Sequence, residues 1–79
     1  MSENTQKKIN EIAAYRGLPP IKKGMRCVVD GKAGVVVGGN SACNLNVRFD
    51  GWKGVSNCHP YWRMKILNDD GSIAYASLS

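Results

Sequence analysis

From Gly24 to Ala76 the chain is a succession of short β-favouring runs, separated from one another by glycine, asparagine, aspartate or proline. This punctuation constrains the fold more than any other feature. The runs are Met25 to Asp30, Gly34 to Gly38, Cys43 to Phe49, Val55 to His59, Arg63 to Leu67 and Ser72 to Ala76. Between them lie a turn at Gly31-Lys32-Ala33, a loop from Gly39 to Ala42, a second from Asp50 to Gly54, a break at Pro60-Tyr61-Trp62 and a hairpin turn at Asn68-Asp69-Asp70-Gly71. In the third run Leu45, Val47 and Phe49 alternate with Asn44, Asn46, Arg48 and Asp50, which makes one face apolar and the other wet. Met64 and Ile66 are expected to point inward in the fifth, and Ile73 and Tyr75 to share a face in the sixth. Strands this short expose both edges unless they close or stack, and a small barrel of five to six strands is the economical solution. The expected class is therefore mainly β.

The preceding segment has a different period. Ile9, Ile12, Ala13 and Arg16 recur at helical spacing, with Lys7, Lys8 and Glu11 on the other side, so a short amphipathic helix is expected over roughly Thr5 to Arg16. Gly17 is a natural stop, and Pro19-Pro20 forbids continuation because proline lacks the amide donor. A helix of about three turns is marginal alone and must dock on something. Three parts follow: helix and linker over 1–21, barrel over 22–67, and a C-terminal hairpin strand over 68–79.

Seventy-nine residues suffice for one domain. So short a chain buries only about 60% of its unfolded surface, which leaves little room for a deep catalytic cleft. The polar start MSENTQKK lacks the apolar stretch of a secretory leader, and no apolar run approaches the ~20 residues of a spanning helix, so a cytoplasmic protein with no membrane partner is expected. The odd set Cys27, Cys43 and Cys58 fits reduced, buried thiols. Net charge is +5, and it is concentrated: over 22–66, Lys22, Lys23, Arg26, Lys32, Arg48, Lys53, Arg63 and Lys65 face only Asp30 and Asp50. A basic domain of this kind is drawn to phosphate polymers or to an acidic protein surface.

The stretch from Gly24 to Gly38 resembles the KOW motif of ribosomal and transcription-elongation proteins. Its matching residues are Gly24, the Val28-x-x-Gly31-Lys32-x-Gly34 hairpin and the valine-rich Val35-Val36-Val37. More broadly, 22–67 is similar to SH3-like barrels, including Tudor and chromo-like members, in which a helical break such as His59-Pro60-Tyr61-Trp62 separates the last two core strands. The resemblance implies a small barrel that binds RNA, nucleic-acid machinery or a protein partner, in the manner of a bacterial or bacteriophage accessory protein. After Gly38 the pattern departs, with Asn40-Ser41-Ala42 in place of the usual continuation.

The residues most suited to binding cluster in one stretch. Trp52 and Lys53, with His59, Tyr61, Trp62 and Arg63, combine aromatic faces with cations within twelve residues, the pairing by which single-stranded nucleic acid is held. Tyr61 and Trp62 serve equally well as caps on a small core, whereas Trp52 in its glycine-bounded loop is harder to bury. Arg26, Lys32, Arg48 and Arg63 would form a basic stripe if the outward faces of the first, third and fifth strands adjoin.

Catalytic and metal readings find less support. Cys27, Cys43 and Cys58 are separated by fifteen and fourteen intervening residues rather than by the short spacings of zinc knuckles, and Cys58 and His59, as strand neighbours, point to opposite faces. A Cys58–His59 nucleophile lacks an orienting acid, since Asp30 and Asp50 sit at turns. The chain is also similar in length and basicity to the plasmid-encoded type II dihydrofolate reductases, but Val55-Ser56-Asn57-Cys58 lacks the glutamine and tyrosine of their Val-Gln-Ile-Tyr run. The expectation is a non-enzymatic binding module without cofactor or metal, binding RNA or DNA through a basic, aromatic surface. The rival is an adaptor or inhibitor of mobile-element origin that uses the same aromatics on an acidic protein.

Overall fold

A computed structural model describes residues 2–77, with side chains from Thr5 onward. Helix α1 spans Ser2–Arg16, followed by β1 (Arg26–Val29), β2 (Lys32–Gly39), β3 (Leu45–Phe49), β4 (Ser56–Cys58), β5 (Met64–Leu67) and β6 (Ile73–Ala76). The mainly β architecture with one N-terminal helix is as the sequence implies, with the helix beginning three residues before the expected Thr5. It ends where glycine permits it to: Gly17 takes φ +70°, and the Leu18 amide donates to the Ala13 carbonyl at 2.8 Å, the six-to-one bond of a Schellman cap.

All six strands belong to one antiparallel sheet in the order β4-β3-β2-β1-β5-β6. The first four form a meander, and β5 returns to the free side of β1, with Cys27 opposite Ile66 and Val29 opposite Met64. The strands β4 and β6 stand at the two ends, with no ladder joining them among the described residues.

The first hairpin corrects one expected boundary. Its loop is Asp30-Gly31 alone, both residues having positive φ (53° and 79°), so Lys32 and Ala33 belong to β2 and pair with Val29 and Val28. A two-residue loop with both φ positive matches the right-handed twist of the flanking strands, and Asp-Gly is a sequence suited to it.

Alternation then sorts the side chains. Cys27 and Val29, Val36, Leu45 and Val47, Cys58, Met64 and Ile66 point to the buried side, where Ile9 and Ile12 of α1 and Ile21 of the linker complete the core. The expected inward residues of the third and fifth runs are all there, Phe49 being half-buried at the rim. In the last strand the expected shared face fails. A register shift between Ile66 and Leu67 breaks the alternation, and Ile73 is 58% exposed while Tyr75 packs on the core. All three cysteines are free; Cys27 and Cys58 are buried as expected, and Cys43 is half-buried at a loop tip with φ +60°.

The helix lies across the end of β2, over a glycine. A methyl group at Gly39 would sit 2.2 Å from Ile12 Cδ1 and 3.1 Å from Lys8 Cγ. A side chain here would have to push Ile12 Cδ1 out of its place against the sheet.

Candidate functional site

One end of the sheet carries a concave groove of about 450 Å³, and four elements converge on it. The β1–β2 hairpin supplies Val29, Asp30 and Lys32, and the end of β3 with its following turn supplies Phe49 and Trp52. Strand β4 contributes Ser56, Asn57 and Cys58, and the break before β5 contributes His59 and Trp62.

Local chain chemistry fixes each aromatic. The turn after β3 closes through a Trp52 amide bond to the Phe49 carbonyl at 3.0 Å, with Gly51 at φ +82°. The Trp52 indole then meets the Phe49 ring edge-on, with centroids 5.8 Å apart and planes at 63°. In the second turn His59 accepts twice. Its Nδ1 takes the Tyr61 amide at 3.1 Å, and its carbonyl takes the Trp62 amide at 3.0 Å. Pro60 is buried beneath, and its carbonyl accepts the Tyr75 hydroxyl at 2.9 Å, which anchors this turn to β6.

Each indole has a cation beside it. Lys32 Nζ lies 5.8 Å from the Trp52 centroid, and the Arg63 guanidinium 5.7 Å from that of Trp62, both within cation–π range. Arg63 also donates to Asp30 Oδ1 at 3.1 Å, and the Asp30 amide to the Arg63 carbonyl at 3.0 Å. These two bonds tie the first hairpin to the second turn, so the groove walls are held together by a half-exposed ion pair. Both indoles remain open to solvent, Trp52 at 56% and Trp62 at 50%.

The expected binding residues therefore divide. Lys32, Trp52, His59 and Trp62 meet in the groove, and Arg63 stands at its wall. Lys53 is exposed in the loop beside Trp52 without lining the groove. Tyr61 faces the helix instead: its hydroxyl donates to the Arg16 carbonyl, and its ring lies 5.4 Å from the Arg16 guanidinium. Neither Tyr61 nor Trp62 is a core cap.

Arg26 and Arg48 lie on the outer face of the sheet, on either side of Val35 in one cross-strand row, because β2 intervenes between β1 and β3. Arg26 grips Asp50 with both nitrogens, at 2.7 and 3.1 Å. That contact holds the Asp50 carboxyl below its ordinary range and raises the Arg26 guanidinium further. Of the four cations proposed for a stripe, Arg26 and Arg63 thus each hold a carboxylate.

Phe49 and Asp30 also belong to the groove, although the sequence pointed elsewhere. Phe49 reads as one more inward residue of an alternating strand, and the Asp30–Arg63 pairing spans 33 residues, a separation that leaves no local signature. The thiols of Cys27 and Cys58 are not poised for chemistry. Burial pushes Cys27 up to about 11 and also raises Cys58, so both stay protonated at neutral pH. No cluster of three metal-ligating side chains occurs, and no helix is long and apolar enough to cross a membrane, among the described residues. No family model matches the chain, and neither a curated protein nor a solved structure matches it.

Proposed function

We propose that this protein is a non-enzymatic binding module that holds nucleic acid in the groove between Trp52 and Trp62. The observation that carries the reading is the pair of half-exposed indoles, each with a cation alongside, on a domain of net charge +5. Bases have π-faces that stack on such rings, and phosphates are drawn to the cations, so the two halves of a nucleotide find complementary groups side by side. Exposing large aromatic surface to water costs free energy in the unbound state, which favours a role in contact over one in packing.

The strand order supports an SH3-like, KOW-like barrel as the finer description of the fold. A four-strand meander whose first strand also pairs with the fifth is the connectivity such a barrel requires. A strongly curled sheet would bring the first hairpin and the 59–62 turn together at one rim, which is where the groove lies.

Titration with labelled oligonucleotides at two salt concentrations tests the reading. Affinity should fall with salt, with a slope of about −0.7 per phosphate contact for a single strand. Trp52→Ala should weaken binding by roughly tenfold, in line with about 1–3 kcal/mol per stacked base. Undetectable binding at low salt defeats the proposal, and retention of an acidic protein from nuclease-treated lysate would then favour a protein-interaction module on the same aromatics.

A further inference from the structure

The groove is continuous with a second set of aromatic and cationic side chains that leads away from it, onto the helix. His59, which lines the groove, lies 5.3 Å ring to ring from Tyr61. The Tyr61 ring lies 5.4 Å from the Arg16 guanidinium, which in turn lies 5.6 Å from the ring of Tyr15. Tyr15 is the most exposed large hydrophobic side chain among the described residues, at 73%, and Tyr61 is 46% exposed. Nothing in the core accounts for either ring.

Arg16 in this row is a rigid plane. Its Nε donates to the Cys43 carbonyl at 3.0 Å, and its Nη2 to the Ala42 carbonyl at 3.4 Å and to Asn44 Oδ1 at 3.2 Å. These bonds fix the guanidinium before any ligand arrives, so little side-chain entropy remains to be lost when a base or phosphate comes against it. None of its partners is a carboxylate, so its charge is not neutralised as those of Arg26 and Arg63 are. Glu11 lies one turn before Tyr15 on the same helix and makes an ion pair with Lys8 at 3.8 Å, which sets an acidic limit to the row.

We infer that Tyr61, Arg16 and Tyr15 form a second stacking station, so that the ligand is an unpaired strand running from the Trp52–Trp62 groove over the 59–62 turn to the end of α1. The inference rests on the nucleic-acid reading of the groove and extends it in two ways. Single strands are selected because stacking needs base faces that a duplex keeps inside. The helix becomes part of the binding surface, and its capped C-terminus presents Tyr15 and Arg16 at a fixed height above the sheet.

The test compares labelled oligothymidylates of about 4 and about 16 nucleotides, the two ends of the range of site sizes seen for single-strand-binding OB folds, at low salt. Trp52→Ala should weaken both lengths. Tyr15→Ala should weaken the longer strand by roughly tenfold and leave the shorter unchanged, and Tyr15→Phe should restore the loss, since it keeps the π-face. A duplex of the longer sequence should compete poorly. Wild-type affinity of Tyr15→Ala for the longer strand overturns the second station, as does an equal loss at both lengths; in either case the groove reading stands if Trp52→Ala still weakens binding. Absence of binding by the wild-type protein at both lengths overturns the groove reading and the track together. Tyr15 is outside the core, so a melting curve coincident with wild type verifies that the variant is folded.

Discussion

Cys27 shows how strongly a single side chain can be governed by its surroundings. It sits in the middle of β1, fully buried against Ile66 and the other core residues, and burial, followed by the nearby Cys58, pushes its thiol up to about 11. The thiolate is the form that reacts and ligates, so this cysteine is chemically quiet at neutral pH and acts as a small hydrophobe. A consequence for stability follows from the direction of the shift. The unfolded thiol ionises at lower pH than the folded one, so between pH 9 and 11 the unfolded state holds fewer protons and stability declines as pH rises. Cys27 alone should contribute a loss of about 2 kcal/mol by pH 11, and Cys58 adds in the same direction. Denaturant midpoints measured across this range should fall, and Cys27→Ala should fall less steeply with pH than wild type. Equal slopes for the two proteins would mean that the Cys27 thiol ionises as readily in the fold as in the open chain.

At the scale of the element, the docking of α1 depends on one complementary pair. Ile12 presses its Cδ1 into the space that a side chain at Gly39 would occupy, and Gly39 has ordinary strand geometry, so glycine is needed there for room and not for backbone freedom. Gly39→Ala should cost about 1–3 kcal/mol by overpacking. Ile12→Ala should cost about 2–5 kcal/mol, since its side chain is wholly buried. Together the two changes should cost at least about 1 kcal/mol less than their sum, because the added methyl then enters the space that isoleucine vacated. Denaturation of the four proteins of this cycle measures the coupling, and strict additivity would show that the helix does not bear on Gly39. This contact also shows where the sequence is readable. The helix was legible from the spacing of Ile9, Ile12 and Ala13 and from Gly17, which are local signals, and so were the strands and the third run's alternation. The turn ends two residues earlier than expected, at Gly31, because Lys32 and Ala33 carry no strand signature of their own. The meeting of Gly39 with Ile12, of Asp30 with Arg63 and of Tyr61 with Arg16 arises only when distant segments are brought together, so these pairings lie beyond any reading of neighbours along the chain.

Across the whole molecule the apolar residues sort by type. The buried core is built from isoleucine, valine, leucine, methionine and cysteine, whereas none of the six aromatic residues is fully buried. Phe49 and Tyr75 sit at the rim of the core, and Trp52, Trp62, Tyr61 and Tyr15 lie outside it. Small domains ordinarily recruit their largest side chains for burial, because a short chain has little else with which to offset conformational entropy. Here the core closes without them, so fold and binding surface draw on separate sets of residues, and the two properties should be separable by mutation. The double variant Trp52→Ala, Trp62→Ala should keep its unfolding free energy within about 1 kcal/mol of wild type, as surface changes do, while oligonucleotide binding is lost. A buried aromatic replaced by alanine would instead cost about 3–5 kcal/mol. Should the double variant lose stability on that scale, the indoles are struts between the β1–β2 hairpin and the 59–62 turn, and the cations beside them brace the rim of the sheet. Retained stability with lost binding would leave the aliphatic core as the sole support of the fold and the aromatic rim as the surface on which selection for a ligand acts.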